Sequence, residues 1–264
     1  ENRPEWMISD LSIMLSGGVT VPAYTTYTER DYEYIIDDCT PTIIIISDKI
    51  QYDKIKNIIS TKNFIKKIIC FENIENTNKE LSLKIHDIFK KDNSNNQNFF
   101  NLKIQRKDMA CIIYTSGTQG NPKGVMLSHG GILNNCEGAY GLLKTFISKR
   151  PKFLTWLPLS HSYEHTVQFV QIVVGARVYY AESIDKLIKN MSDCSPEIMT
   201  AVPRFYQNLH QKINTSFSKT AGIKKFLVNQ TVQLGNKKLN KQRCSSIENL
   251  INFICEKLVR KKIK

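Results

Sequence analysis

The sequence predicts an α/β fold, a mostly parallel sheet covered by helices on both faces. Two observations carry this. Short apolar stretches rich in Ile and Val recur along the chain, and segments with helical apolar spacing separate them. No repeat of fixed period is present.

The elements follow in order. Pro4 to Leu15 reads as a helix with proline in its first turn, ended by Gly17-Gly18. Val19 to Ala23 reads as a short strand and Glu29 to Asp38 as a helix. Pro41 precedes a strand over Thr42 to Ile46. Lys49 to Ile59 is predicted helical and Lys67 to Phe71 a strand. The polar, Asn-rich run near 91–101 is expected to be a surface loop. Two strands, Met109 to Tyr114 and Val125 to Leu127, precede a helix over Gly131 to Leu143. A strand (Phe153 to Leu157), a helix (Tyr163 to Val174), a strand (Arg177 to Ala181) and a helix (Ile184 to Met191) continue the alternation. Glu197 to Val202 reads as a strand and Pro203 to Ile213 as a helix.

Length and composition fit this class. The 264 residues are 41% hydrophobic and 23% charged, which excludes a disordered chain. At ~150 residues per domain the length allows one or two domains. No apolar run approaches the ~18 residues of a membrane span. Seven Cys are scattered without C-x-x-C spacing, as in a reduced, cytoplasmic chain with buried thiols.

The net charge of +13 is concentrated. The segment from Ala221 to Lys264 has eleven Lys and Arg against Glu248 and Glu256, and so holds +9 of it. A basic, helical segment over 221–264 can be a solvated face or can meet a polyanion. No nucleic-acid motif accompanies it, so no nucleic-acid partner is expected. Weak peripheral association with the inner membrane surface is the remaining expectation. Ser245 and Glu248 spell a capping box, and Ile247, Leu250, Ile251, Ile254 and Leu258 form a helical stripe expected to face a core.

The most informative stretch is Tyr114-Thr115-Ser116-Gly117-Thr118-Gln119-Gly120-Asn121-Pro122-Lys123-Gly124. Glycines let backbone N–H groups approach an oxyanion closely. Thr115, Ser116 and Thr118 can donate hydrogen bonds, and Lys123 adds a point charge for a phosphate. The pattern describes a cradle for a polyphosphate. It is not a Walker A loop, because Pro122 precedes the lysine and a strand follows. The glycine spacing is not the dinucleotide fingerprint either.

This stretch resembles the phosphate-binding signature of the adenylate-forming (AMP-binding) superfamily, with Gln119 where the family commonly has Thr. The run ending Gly124-Val125-Met126-Leu127-Ser128-His129 is similar to long-chain fatty acid–CoA ligases. So are Leu157-Pro158-Leu159-Ser160-His161 and Val202-Pro203-Arg204-Phe205-Tyr206. The opening Glu1 to Trp6 and Gly18 to Pro22 fit the start of the same domain. The resemblance implies the N-terminal large-domain part of an acyl-CoA synthetase-like fold, incomplete. It implies ATP and Mg2+, with coenzyme A as a co-substrate. Thr115, Ser116, Gly117, Thr118, Gly120 and Lys123 are implied as nucleotide phosphate-binding residues. His161 is implied as a group beside the carboxylate substrate. A helix-capping or core histidine is the plain alternative.

Residues His161-Ser162-Tyr163-Glu164-His165 also match the H-x-x-E-H of inverted zinc metalloproteases, which makes zinc chemistry a remote alternative. The favoured expectation is ATP-dependent activation of a long-chain fatty acid as acyl-adenylate, then thioester formation with coenzyme A. Alternatives are a ligase for another carboxylic acid and a non-catalytic nucleotide-binding module. The sequence lacks a Tyr-Gly-x-Thr-Glu stretch, which in the family stacks on adenine and supplies a magnesium carboxylate. The family's C-terminal domain, with its adenylation lysine, is also absent. The chain is therefore expected to be a fragment, inactive alone, with exposed sheet edges.

Overall fold

A computed structural model describes residues 1–74, 82–90, 102–115 and 122–262. The Asn-rich run near 91–101 lies outside them, as do Ser116, Gly117, Thr118 and Gly120. The chain divides into two compact units, Glu1–Thr200 and Ala201–Lys264.

The first unit opens with α1 (Pro4–Leu15) and α2 (Glu29–Cys39), the latter started by a capping box between Thr28 and Asp31. Next come β1 (Ile43–Ile46), α3 (Lys49–Ser60) and β2 (Lys67–Cys70). Asp48 caps α3 by accepting the N–H of Gln51. β3 (Ser82–Lys84) and α4 (Ile85–Lys90) follow. The strands β1, β2 and β3 pair in parallel in that order. Ile36, Ile46, Ile55, Ile59 and Ile68 pack together as the core of this layer.

β4 (Met109–Thr115) and β5 (Lys123–Ser128) form an antiparallel hairpin. α5 (His129–Leu143), β6 (Lys152–Thr155), α6 (Ser162–Val173), β7 (Arg177–Tyr180), α7 (Leu187–Cys194) and β8 (Ile198–Met199) complete the unit. The second parallel sheet runs β7-β6-β8, so each of its connections carries a helix, as parallel pairing requires. Ala110, Cys111 and Ile113 of β4 and Phe153 of β6 share a core with Val170 and Val174. Burial pushes the Cys111 thiol up to about 12, which fits a packing role.

The α/β class holds, with one strand corrected. Among the described residues the strands form three small sheets, two of them parallel and one an antiparallel hairpin. Val19 to Ala23 is not a strand: only Thr20 bridges to Cys111, and Pro22 next to it has no N–H to extend the ladder.

The second unit contains α8 (Pro203–Ser218), α9 (Gly222–Leu239) and α10 (Ser246–Leu258), then a 3-10 turn over Arg260–Lys262. The capping box of Ser245 and Glu248 is formed. The stripe on α10 does not face a core. Cys255 is buried and reaches the Leu227 carbonyl of α9, whereas Ile247 is 72% and Leu250 63% exposed. Among the described residues no helix is long and apolar enough to cross a membrane.

Candidate active site

The hairpin places the two described ends of the glycine-rich loop opposite one another. Thr115 and Lys123 are register partners, the last pair before the loop, and both are exposed. Lys123 makes no ion pair among the described residues, which leaves a cation beside the loop. The base of the loop is held firmly. Tyr114, next to Thr115, is buried and donates its phenol O–H to Asp38 Oδ2 of α2 at 2.5 Å. Burial first, and then that hydrogen bond, push the Tyr114 phenol well above its ordinary value, so it stays a neutral donor. Gly124 pairs with Tyr114, and a Cβ there would lie 2.9 Å from Ile112 Cγ2 and 3.3 Å from the Tyr114 ring. The glycine thus lets the tyrosine lie across the hairpin.

A second group of residues gathers beyond the end of β6. The segment from Trp156 to His161 leaves the strand and turns into α6, the place where ligand sites of parallel α/β sheets form. Asn2 clamps it from both sides. Its Nδ2 donates to the Leu157 carbonyl at 2.7 Å, and its Oδ1 accepts the Leu159 N–H at 3.2 Å. The Trp156 indole donates to the Thr200 carbonyl at 2.6 Å. A cavity of about 390 Å³ adjoins this turn, lined among others by Trp156, Pro158, Leu159, Ser160 and Ala181.

His161 stands one residue beyond Ser160 as the N-cap of α6. Its Nδ1 accepts the Tyr163 N–H at 3.2 Å, and its own N–H donates to the Pro158 carbonyl. The ring is exposed, so its other nitrogen can meet a ligand. No hydrogen bond or ion pair joins His161 to Thr115 or Lys123 among the described residues.

The three residues of the H-x-x-E-H pattern are dispersed. His161 caps the helix. His165 is buried with its Nε2 2.8 Å from Asp10 Oδ2, and Trp6 and Phe169 pack on its ring. Glu164 is fully buried and accepts a hydrogen bond from Thr200 Oγ1. Among the described residues no group of three His, Cys, Asp or Glu side chains could hold a metal ion. Asn2, Asp10, Asp38 and Thr200 escape sequence reasoning, because each acts on a segment far from it in the chain.

Solved structures of adenylate-forming enzymes share this architecture. A putative long-chain-fatty-acid CoA ligase from Rhodopseudomonas palustris matches with a TM-score of 0.66 and 15% identity, covering 80% of this chain and 51% of that one. The inhibitor-bound N-terminal domain of FACL13 from Mycobacterium tuberculosis matches with a TM-score of 0.66 and 19% identity, over 80% of this chain and 50% of that one. The sequence model of the AMP-binding enzyme family matches residues 1–256, and the chain belongs to that family.

Within it, the chain is similar to acyl-CoA synthetases. Long chain acyl-CoA synthetase 4 of Arabidopsis thaliana is 29% identical over 237 residues, 86% of this chain and 35% of that protein. Long-chain-fatty-acid–CoA ligase 5 of Rattus norvegicus is 29% identical over 280 residues, all of this chain and 39% of that protein. The chain thus spans well under half the length of these relatives.

Proposed function

We propose that this chain supplies the triphosphate-gripping hairpin and the carboxylate-side turn of a long-chain fatty acid–CoA ligase. The observation that carries the reading is the hairpin, with an exposed lysine and threonine paired at the mouth of a loop rich in glycine and hydroxyls. In this reading a fatty acid carboxylate attacks the α-phosphate of ATP, giving acyl-adenylate and pyrophosphate. The coenzyme A thiol then displaces AMP. Charge builds on the departing pyrophosphate, and fixed donors aimed at it lower the barrier. Lys123 and the Thr115 hydroxyl would bind the β- and γ-phosphates, with Ser116, Gly117, Thr118 and Gly120 completing the cradle.

His161, exposed at the turn beyond β6, would orient the fatty acid carboxylate. The donor set of the hairpin fits an anion and contains no carboxylate. A magnesium ion bound with the nucleotide would neutralise phosphate charge, and no hairpin residue would serve as its carboxylate ligand. The name of the Arabidopsis relative supports a long acyl chain and a coenzyme A acceptor. A cytoplasmic setting is proposed on the thiol content, since all seven Cys are free.

Pyrophosphate exchange into ATP tests this in the full-length gene product. Exchange that depends on a long-chain fatty acid, and that Lys123→Ala depresses at least tenfold, is the expected result. Exchange that ignores the lysine, or none at all, overturns the reading.

A further inference from the structure

Glu164 is buried beside the turn that presents His161 yet does not line it. It occupies the third position of α6, behind the N-cap His161. A glutamate there ordinarily reaches back to the N-cap N–H and completes a capping box. Here the His161 N–H donates to Pro158 instead, and Glu164 turns into the protein. It is 0% exposed, and Thr200 Oγ1 lies 2.5 Å from its Oε2. Its Oε1 is buried without a hydrogen-bond partner, and no Lys or Arg pairs with the carboxyl among the described residues. Next to it, His165 is occupied by Asp10. A carboxylate in such a place is strongly disfavoured, and an uncharged carboxyl is the state that burial without a cation selects. Burial pushes its pKa up, while the hydrogen bond from Thr200 and the neighbouring polar groups of Thr155 and Gln168 pull against that rise.

Thr200 is consequently held twice. Trp156, at the end of β6, binds its carbonyl, and Glu164 binds its hydroxyl. The residues following β6 and β8 and the first turn of α6 are thereby locked together around the turn that presents His161.

We propose that Glu164 is a positioning residue of the carboxylate-activating reaction, whose buried carboxyl fastens Thr200 to the first turn of α6 and so fixes the orientation of His161. This rests on the function proposed above for its kinetic consequence, but not for the tether itself. It also gives the inward-facing glutamate of the H-x-x-E-H pattern a purpose without a metal.

The test compares wild type with Glu164→Ala, Thr200→Val and Glu164→Gln in the full-length gene product. Glutamine keeps the shape and the uncharged hydrogen bond. In protein with isotope-labelled histidine, the His161 ring resonances should shift in Glu164→Ala and Thr200→Val and return toward wild type in Glu164→Gln. Infrared difference spectra at neutral pH should show a protonated-carboxyl carbonyl band lost on Glu164→Gln. The kcat/KM for fatty acid should fall by roughly tenfold to a hundredfold in the first two variants, as small misplacements of reacting groups produce, while the KM for ATP holds. If Glu164→Ala does not fold, Thr200→Val and Glu164→Gln decide the matter. Unmoved His161 resonances in Thr200→Val, a glutamine variant as impaired as alanine, or no carbonyl band would overturn the proposal. Absence of fatty acid-dependent exchange in wild type would instead sink the ligase reading and leave the spectra to judge the tether.

Discussion

Removing the Asp10 carboxylate should destabilise the first unit strongly. Asp10 is 5% and His165 2% exposed, and their polar atoms meet at 2.8 Å. Trp6 stands edge-on to the imidazole at 5.4 Å between ring centres, and Phe169 covers it at 5.1 Å. These aromatic neighbours cannot replace the lost acceptor. Leaving a buried polar group unpaired costs about 1–3 kcal/mol. Asp10→Ala should therefore cost about 2 kcal/mol, roughly thirtyfold in the unfolding equilibrium. Urea denaturation followed by tryptophan fluorescence reads it locally, since Trp6 packs on His165 and Trp156 lies in the same unit. The midpoint should drop with an unchanged slope. A cycle with His165→Ala should give a coupling of at least about 1 kcal/mol. Additive losses, or a loss in Asp10→Ala below about 1 kcal/mol, would refute the view that Asp10 is what His165 is built to face.

The remaining predictions concern the hairpin, the core and acidity. Gly124→Val should cost about 1–3 kcal/mol through its clash with Ile112 and Tyr114, and should weaken ATP binding measured calorimetrically. Phe153, 2% exposed, should cost about 3–5 kcal/mol on truncation to alanine, read by thermal or urea unfolding. Because burial raises the Glu164 pKa in the folded state, its contribution to stability is fully present below the ordinary carboxylate pKa and is lost as pH rises through the raised value. Stability measured across mildly acidic to neutral pH should fall less steeply in Glu164→Gln than in wild type.

Local signals in the sequence were sound guides to local structure. Pro4 at a helix start, the capping box of Ser245 and Glu248, and the two apolar strands that flank the glycine-rich run all predict elements that form where expected. Signals that depend on partners were not readable. Whether Val19 to Ala23 becomes a strand depends on a neighbour, and with Pro22 it closes only one bridge. The three-residue strand Ser82–Lys84 is too short and polar to show a period. The α10 stripe has the spacing of a buried face, yet its exposure is set by how little packs on it.

At the candidate site the same division holds. The pairing of Lys123 with Thr115 is legible because both flank one glycine-rich run between two apolar strands. The clamps that shape the site join residues distant in sequence: Asn2 to Leu157, Asp38 to Tyr114 and Glu164 to Thr200. Periodicity reports nothing about such pairs. The H-x-x-E-H pattern shows the opposite error, since three residues in register for a metal turn to three separate partners once the helix is packed.

The grip on triphosphate proposed for the hairpin is tested most directly by titrating the isotope-labelled protein with Mg-ATP and following backbone amides. Saturable shifts confined to the amides from Thr115 to Lys123 and their hairpin neighbours, abolished by Lys123→Ala, are predicted. Amides that stay in place at saturating nucleotide, or shifts that persist unchanged in Lys123→Ala, would contradict the account.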